Sequence, residues 1–281
     1  AFQGEMIHML QQACDNDAYA TYKKYSDAVN RMAPVSLRDL MDFSPMQDSV
    51  PLEEVELAIR IPGINRPRTA MISIENTHNR CGGTVLTSEY TLAIAEIANS
   101  HGAALHIDGA RIFNAAVALG LPVKLLANGA DTVSFCLSKG LSCPVGSLIC
   151  GTRSFIQRTK KIRKMLGGGM RQAGVLAAAG IVALDEMIEK LKTDHANARR
   201  LAEGIDAIDG LTVRLDFVKT NIVYVELVNS AITPDQVVTA MKDKGVKFFA
   251  VGPSRFRMVT NSGVEAEGID RALKELSSYF A

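Results

Sequence analysis

Short apolar runs alternate with segments of helical periodicity through the first two thirds of the chain. The apolar runs are TAMISIE (residues 69–75), ALHID (104–108), DTVSFCL (131–137) and PVGSLICG (144–151). Helical patterns follow at residues 88–101, 114–119, 152–166 and 173–203. Strands separated by helices at this spacing need crossover connections, which predict a largely parallel sheet that is buried on both faces.

The rhythm changes near residue 211. Four short apolar runs, LTVRL, NIVYVEL, VKFFAV and FRMVT, are combined with helical patterns at 234–244 and 264–280. This order predicts a small α+β domain. We place a large domain at residues 1–185 and a small C-terminal domain at 186–281. The first 50 residues or so show a helical pattern and no clear strand.

Composition and charge exclude several classes of protein. The 31 Lys and Arg residues balance 30 Asp and Glu residues, so no bulk charge attracts nucleic acid or an anionic membrane. No apolar run approaches the roughly 18 residues of a membrane span, and no basic-then-apolar leader is present. The five cysteines show no CxxC spacing, which favours reduced thiols in a cytoplasmic protein without a metal site. They are Cys14, Cys81, Cys136, Cys143 and Cys150.

Two charged residues follow the predicted strands. Asp108 ends ALHID and Lys139 comes just after DTVSFCL, in the otherwise apolar stretch SFCLSKGLSCPVGSLICG. Ligands of open α/β sheets bind at the carboxyl ends of the strands. His106 and Asp108 are two residues apart in a strand and therefore share a face. Gly109 and Gly140 flank the two charges and allow another group to approach closely.

These positions suit a Schiff-base site. Burial lowers the pKa of a lysine, which frees its amine to attack the carbonyl of an aldehyde cofactor. Asp108 would then keep a ring nitrogen of that cofactor protonated. Spacing alone leaves other interpretations open. Asp108 could cap a helix or form a salt bridge, and Lys139 could be a solvated turn residue.

Four longer motifs carry a resemblance to a known family. They are IENTHNRCGGTVL (residues 74–86), HIDGARIFNAAVALG (106–120), SFCLSKGLSCPVGSLICG (134–151) and RKMLGGGMRQAGVLAAAG (163–180). Together they resemble the threonine aldolases, which are pyridoxal-phosphate enzymes of the aspartate-aminotransferase fold. The resemblance runs from about residue 50 to the C-terminus. It implies a PLP-dependent transferase of fold type I with a mostly parallel central sheet, helices on both faces and a small α+β domain.

The resemblance also implies roles for individual residues. Lys139 matches the lysine that forms the internal aldimine, and Asp108 matches the acid that pairs with the pyridinium nitrogen. Arg111 matches an arginine of the cofactor pocket. His78 matches a histidine near the substrate's β-hydroxyl, and Arg257 falls where an arginine binds the substrate carboxylate. Without the resemblance, His78 could cap a turn and Arg257 could be a solvated strand residue.

Two further basic residues suggest an oligomer. Lys164 and Arg171 match residues that surround the active site and reach it across a subunit boundary. The implied assembly is a homodimer or homotetramer. Its substrate would be a small β-hydroxy-α-amino acid.

The N-terminal region departs from the family pattern. We find neither a Ser-Gly-Thr turn for the phosphate nor a histidine that stacks on the ring. Tyr19 and Ala20 lie where that histidine is expected, and the setting of His8 does not match. Asn261 stands where the family usually has a histidine. We therefore expect weaker cofactor binding than in a full-length threonine aldolase.

The implied activity is retro-aldol cleavage of threonine or allo-threonine to glycine and acetaldehyde. Two alternatives remain open. One is another PLP lyase or racemase of the same fold. The other is a catalytically weak or silent truncated paralogue that associates with full-length subunits.

Overall fold

The computed structural model describes residues 49–64, 67–228 and 231–281. The predictions made for His8, Cys14, Tyr19 and Ala20, and for the helical pattern of the N-terminal region, lie outside these residues. Helices and strands are numbered below within the described part of the chain.

A four-stranded sheet forms the larger half of the molecule, in the order β1-β2-β3-β4. Its strands are β1 (Met71–Glu75), β2 (Ala104–Asp108), β3 (Thr132–Cys136) and β4 (Ser147–Gly151). The helices that precede or connect the first three strands are α1 (Leu52–Leu57), α2 (Ser88–Ser100), α3 (Ile112–Leu119) and α4 (Val123–Leu126). The first three strands run parallel, as their helical crossovers require. The predicted parallel α/β core is confirmed for them.

Buried aliphatic side chains fix this register. Alternate residues of β1 and β2 point into the core, which includes Ile72, Ile74, Leu105 and Ile107. Helix α2 covers them with Ile94 and its small neighbours. The residues between them face the opposite side of the sheet. The residues that follow the last residue of each strand therefore lie at the same edge of the sheet.

Strand β4 departs from the prediction in two ways. It runs antiparallel to β3, and all five of its residues are exposed. Residues 137–146 join the two strands without a helix, and so short a connection returns the chain antiparallel. The predicted burial on both faces is therefore wrong at this edge of the sheet.

Three helical segments follow β4. They are α5 (Arg153–Met165), α6 (Gly174–Val182) and α7 (Leu191–Asp206), with a π-helical turn (Ala183–Met187) between the last two. The single helix predicted at 173–203 is thus divided. No residue of α5 is buried, and α6 buries only Gly180. Helix α7, in contrast, packs against α3 and against the small sheet.

The second sheet has the order β5-β6-β8-β7 and is antiparallel throughout. Its strands are β5 (Leu211–Thr212), β6 (Ile222–Leu227), β7 (Phe249–Ala250) and β8 (Arg255–Val259). Helices α7, α8 (Pro234–Asp243) and α9 (Ala266–Phe280) enclose a core around Phe256. The small α+β lobe is as predicted. The domain boundary at residues 185 and 186 stays a prediction, and it falls within the π-helical turn.

In the part of the chain that the structure describes, no helix is both long enough and apolar enough to cross a membrane.

Candidate active site

The polar residues of the site collect where β1, β2 and β3 end. Glu75 ends β1 and lies beside Asp108, the last residue of β2, which in turn lies beside Ser134 of β3. His78 and Arg111 follow the first two strands by three residues. Lys139 follows β3 by three residues as well. Three parallel strands thus deliver their functional candidates to one edge, where α/β sheets bind ligands.

A cavity of about 370 Å³ opens at this edge, within the size range of small-molecule sites. It is lined by Arg111, Ser138, Lys139, Gly140, Ser142, Asn221, Val259 and Asn261. The last three belong to the small lobe or to the turn after β8. A larger cavity, about 470 Å³, lies within the small lobe and contains none of the strand-end residues. The site is therefore the cleft between the two lobes.

Lys139 is exposed to solvent, so the expected burial of this lysine is wrong. It lies in a tight loop in which the Ser142 N–H donates to the Lys139 carbonyl at 2.9 Å and the Cys143 N–H donates to the Leu137 carbonyl at 3.0 Å. Apolar Leu137 and Leu141 are buried beneath it. The apolar character of the surrounding sequence reflects these anchors, while Lys139 itself lines the cavity.

Asp108 is half-buried and shares a face of β2 with His106, as predicted. Its Oδ1 accepts the Ala110 N–H at 3.1 Å. One carboxylate oxygen thus serves the turn before α3, but Asp108 does not cap this helix, whose N-cap residue is Arg111 and which has no side-chain cap. Burial lowers the pKa of His106, although Asp108 opposes that shift.

The flanking glycines serve the packing of the chain itself. A Cβ at Gly109 would lie 2.8 Å from the Ser134 carbonyl oxygen, and one at Gly140 would lie 2.8 Å from Leu191 Cδ2. The prediction that these glycines make room for another group is therefore incomplete. They first of all let the strand ends pack against neighbouring segments.

Two arginines lie together in the cleft. Burial lowers the pKa of Arg111, and the nearby Arg257 lowers it further, while Glu75 acts in the opposite direction. Arg257 Nη1 donates to Asn79 Oδ1 at 2.7 Å. Its Nε–H is buried and has no acceptor among the described residues. A buried donor without an acceptor is costly, so this position is suited to an anionic ligand.

His78 is buried, with 2% of its surface exposed. Its Nε2 lies 3.6 Å from Glu75 Oε2, and Glu75 Oε1 accepts the Asn79 N–H at 3.2 Å. The His78 backbone pairs with Thr84 across a short turn. Its backbone therefore closes a turn, as the structural alternative has it, while its side chain lies beside a carboxylate.

Lys164 and Arg171 do not join this group within the chain. Lys164 lies in the last turn of α5 and Arg171 follows it, and both are exposed. Neither lines the cavity. The structure thus brings together Lys139 and Arg111 in the cavity, with Asp108, Arg257 and His78 at neighbouring positions, and leaves these two basic residues on the surface.

Three residues of the site were missed at the level of sequence. Glu75 ends β1 in the way that Asp108 ends β2, so the same rule would have found it. Asn79 lies inside the IENTHN motif and holds Arg257. Asn221 precedes β6 and lines the cavity, but it is 82 positions from Lys139 and no local signal marks it.

This set of side chains suits an anionic aldehyde with a basic ring nitrogen. Lys139 offers an amine for the aldehyde, Asp108 an acceptor for a ring N–H, and Arg111 a positive charge. Among residues 49–64, 67–228 and 231–281, no cluster of three or more metal-ligating side chains is found.

A mostly parallel sheet that carries a lysine and an aspartate at its strand ends, with a small lobe over the cleft, has the fold of type I PLP-dependent enzymes. Two solved structures share this fold. The threonine aldolase of Leishmania major has a TM-score of 0.67, 19% identity and coverage of 83% of this chain and 68% of that one. A PLP-dependent aminotransferase of Streptococcus suis has a TM-score of 0.65, also 19% identity, and coverage of 83% and 63%.

The chain belongs to the beta-eliminating lyase family, whose model matches residues 6–228. Low-specificity L-threonine aldolase 1 of Arabidopsis thaliana is 44% identical over 225 residues, which are 79% of this chain and 63% of the relative. The low specificity L-threonine aldolase of Escherichia coli is 45% identical over 179 residues, 64% of this chain and 52% of the relative. The chain thus spans less than two thirds of the length of either relative. These matches agree with the threonine aldolase resemblance of the motifs.

Proposed function

We propose that this chain is a threonine aldolase, a PLP-dependent carbon–carbon lyase that cleaves threonine or allo-threonine to glycine and acetaldehyde. The observation that carries the proposal is the shared cavity of Lys139 and Arg111, with Asp108 at the neighbouring strand end. This set occurs in a chain 44% identical to a low-specificity L-threonine aldolase. Because the chain covers only part of that relative, the activity rests on the site as well as on the likeness.

The cofactor indicated by the family and by the PLP-dependent neighbours is pyridoxal phosphate. Lys139 Nζ would hold its aldehyde carbon, and the Asp108 carboxylate would hold a proton on the ring nitrogen. Arg111 would contribute positive charge in the same cavity. When bound, the cofactor supplies an electron sink for the pair that is released as the Cα–Cβ bond of the substrate breaks.

Arg257 would bind the substrate carboxylate. Its planar guanidinium can make two parallel hydrogen bonds to a carboxylate, and its buried Nε–H has no acceptor among the described residues. Asn79 holds the other end of the guanidinium through Nη1. This support fixes the orientation of the substrate, and with it the direction of the bond to be cleaved.

His78 would accept the proton of the β-hydroxyl. General bases are most often histidines, and the reaction needs this proton removed as the aldehyde forms. Glu75, 3.6 Å from His78 Nε2, would stabilise the positive charge that the imidazole acquires. Its second oxygen is held by the Asn79 N–H, so the carboxylate has a fixed position.

Association with a second copy of the chain, as a homodimer or homotetramer, is part of this proposal. We define the β4 surface as the exposed face of β4, α5, α6 and the loop between the two helices. Its exposed apolar residues are Leu148, Ile149, Ile162, Met165, Leu166, Met170, Val175, Ile181 and Val182. This concentration of exposed apolar residues in residues 148–182 supports an interface here. Lys164 and Arg171 lie on the same surface and would therefore be close to the partner subunit.

The β4 surface also supports the second candidate, a weak or silent chain that acts by joining longer subunits. Cofactor binding separates the two candidates. Cys136, Cys143 and Cys150 form no disulfide bond in the described part of the chain, which is the usual state of cysteines in the cytoplasm, and we propose that location.

The experiment is an absorption spectrum of the purified chain after incubation with pyridoxal phosphate and removal of the excess, together with an acetaldehyde assay on threonine. The proposal expects a protein-bound band at the violet edge of the visible and release of acetaldehyde. Loss of all cofactor on gel filtration, with no acetaldehyde, would favour the silent subunit. A fluorescence titration then compares the affinity with that of a longer relative.

A further inference from the structure

Asn114 lies directly behind the loop that carries Lys139. It is in the first turn of α3 and has 2% of its surface exposed. A Cβ added to Gly140 would lie 3.0 Å from Asn114 Oδ1, so the backbone just after Lys139 rests against this side chain. The reaction proposed above gives Asn114 no role. A buried amide in a helix is unfavourable unless its hydrogen bonds are made.

The amide of Asn114 makes two hydrogen bonds to distant elements. Its Nδ2 donates to His195 Nε2 at 3.1 Å, in α7, and to Asn221 Oδ1 at 3.3 Å, just before β6. Burial lowers the pKa of His195 to about 4. The imidazole is therefore neutral near pH 7, and its Nε2 can accept this bond if the ring proton is on Nδ1.

The chain of hydrogen bonds continues into the small lobe. Asn221 Nδ2 donates to the Thr260 carbonyl at 2.8 Å, and Asn221 lines the same cavity as Lys139. The Thr260 hydroxyl donates to the Asp194 carbonyl at 2.6 Å. One buried amide thus joins α3, α7 and the ends of two strands of the small lobe, immediately behind the lysine loop.

We propose that Asn114 is a positioning residue for Lys139. It supports the backbone at Gly140 and, through Asn221, fixes the opposite wall of the cavity. An apolar residue of the same size could fill the space but could not tie the two lobes together at this point. The use made of Lys139 rests on the proposed function, whereas the support of its loop does not.

The first test compares two matched substitutions in the chain without added cofactor. Asn114→Asp keeps the shape but removes both N–H donors. The control is Asn197→Asp in α7, a buried asparagine with 8% exposure whose Nδ2 donates to the Val264 carbonyl at 3.0 Å. Asn197 does not line the cavity. Amide exchange is measured on peptides that span residues 137–146.

Asn114→Asp should speed amide exchange at Ser142 and Cys143 by about tenfold, the factor expected when one hydrogen bond of ordinary strength is lost. Both amides donate to carbonyl groups in the loop that carries Lys139. Asn197→Asp should leave these two amides unchanged. The rate at which acetic anhydride acylates Lys139, relative to Lys124, should change only in Asn114→Asp. Unchanged exchange and acylation in a folded Asn114→Asp chain would overturn the proposal, and so would equal changes in both variants.

A second pair of variants keeps the test decisive if Asn114→Asp fails to fold. His195→Gln retains an acceptor for Asn114 Nδ2, whereas His195→Leu removes it. Wild-type exchange in the Gln variant and fast exchange in the Leu variant would support the proposal, and equal exchange in both would contradict it. Because no cofactor is present, failure here differs from failure of the proposed function, which is read from cofactor binding.

Discussion

The strand-end site and the β4 surface belong to the same sheet, but they differ in the contacts that their side chains make within the chain. At the site, β1, β2 and β3 place Glu75, Asp108 and the Lys139 loop side by side, and each has contacts within the chain. At the other edge, β4 and the two helices after it expose their apolar residues. The residues at the strand ends are thus positioned by contacts within one chain, whereas the exposed apolar residues of the β4 surface are the ones that the proposed association would cover.

The largest expected effect lies at the site. Asp108→Asn should reduce glycine formation from threonine by about a thousandfold or more, because a neutral amide no longer holds the ring nitrogen protonated. Thermal stability should hardly change. Asp131→Ala is the control, since it removes Asp131 Oδ2, which accepts the Leu105 N–H at 2.8 Å in the same sheet. It should lower stability but keep turnover per folded molecule. The reverse pattern would make Asp108 structural.

Arg257→Lys tests the substrate end of the cleft. Loss of the bidentate guanidinium should raise KM for threonine by about a hundredfold, with a smaller effect on kcat. Arg255→Lys, on the same strand with its guanidinium 5.7 Å from the Tyr224 ring centroid, should change KM little. Steady-state kinetics on both variants decides the matter. An equal rise in KM for both would point to damage of β8 rather than loss of carboxylate binding.

The β4 surface is tested by introducing a charge. Ile149→Lys, at a residue with 39% of its surface exposed, should weaken self-association by about thirtyfold or more, as expected for a central interface residue. The monomer should remain folded. Leu57→Lys in α1, where 86% of the surface is exposed, should have no effect. Sedimentation equilibrium measures both. Association that survives Ile149→Lys would place the interface elsewhere.

The smallest expected effect is on the pH dependence of stability, through His195 of α7. Burial lowers the pKa of His195 to about 4, below its ordinary 6.5, so the unfolded chain binds this proton more tightly and His195 costs stability as pH falls from about 6.5 to 4. Relative to wild type, His195→Gln should therefore become more stable across that window by about 1–2 kcal/mol, a value discounted for the partial exposure of the imidazole. Urea unfolding at several pH values measures the difference. A constant difference from pH 7 to pH 4 would contradict this account.

The neighbouring residue should act in the opposite direction. Burial raises the pKa of Asp194 to about 6, above its ordinary 3.8. The folded chain therefore binds this proton more tightly, and the contribution of Asp194 to stability falls as pH rises from about 4 to 6. Asp194→Asn should remove this fall in stability at rising pH. His195→Gln, in contrast, should remove the loss of stability at falling pH.

Much of the fold followed from periodicity because local pattern and burial agree. ALHID became β2 with the same bounds, and the final helix ends at Phe280 as expected. Strand β4 was misjudged because its direction depends on the connection before it and its exposure on what surrounds the chain. An apolar sequence alone indicates neither the direction of a strand nor its exposure.

The candidate site was predictable where the strand-end rule or a motif applied, as for Asp108 and Lys139. The burial expected for Lys139 was wrong because the apolar residues beside it anchor the loop and leave the amine outside. Asn114 and Asn221 were missed because their roles come from contacts across 107 positions of sequence. Such contacts arise only when the two lobes pack.

The most direct test of the central claim is borohydride reduction of the chain incubated with pyridoxal phosphate, followed by peptide mapping. We expect the reduced pyridoxyl group on Lys139, in the loop after β3, and expect Lys124 and Lys164 to remain unmodified at equal cofactor concentration. A label on other lysines, with Lys139 unmodified in a folded chain, would contradict the claim that these strand ends form the cofactor site.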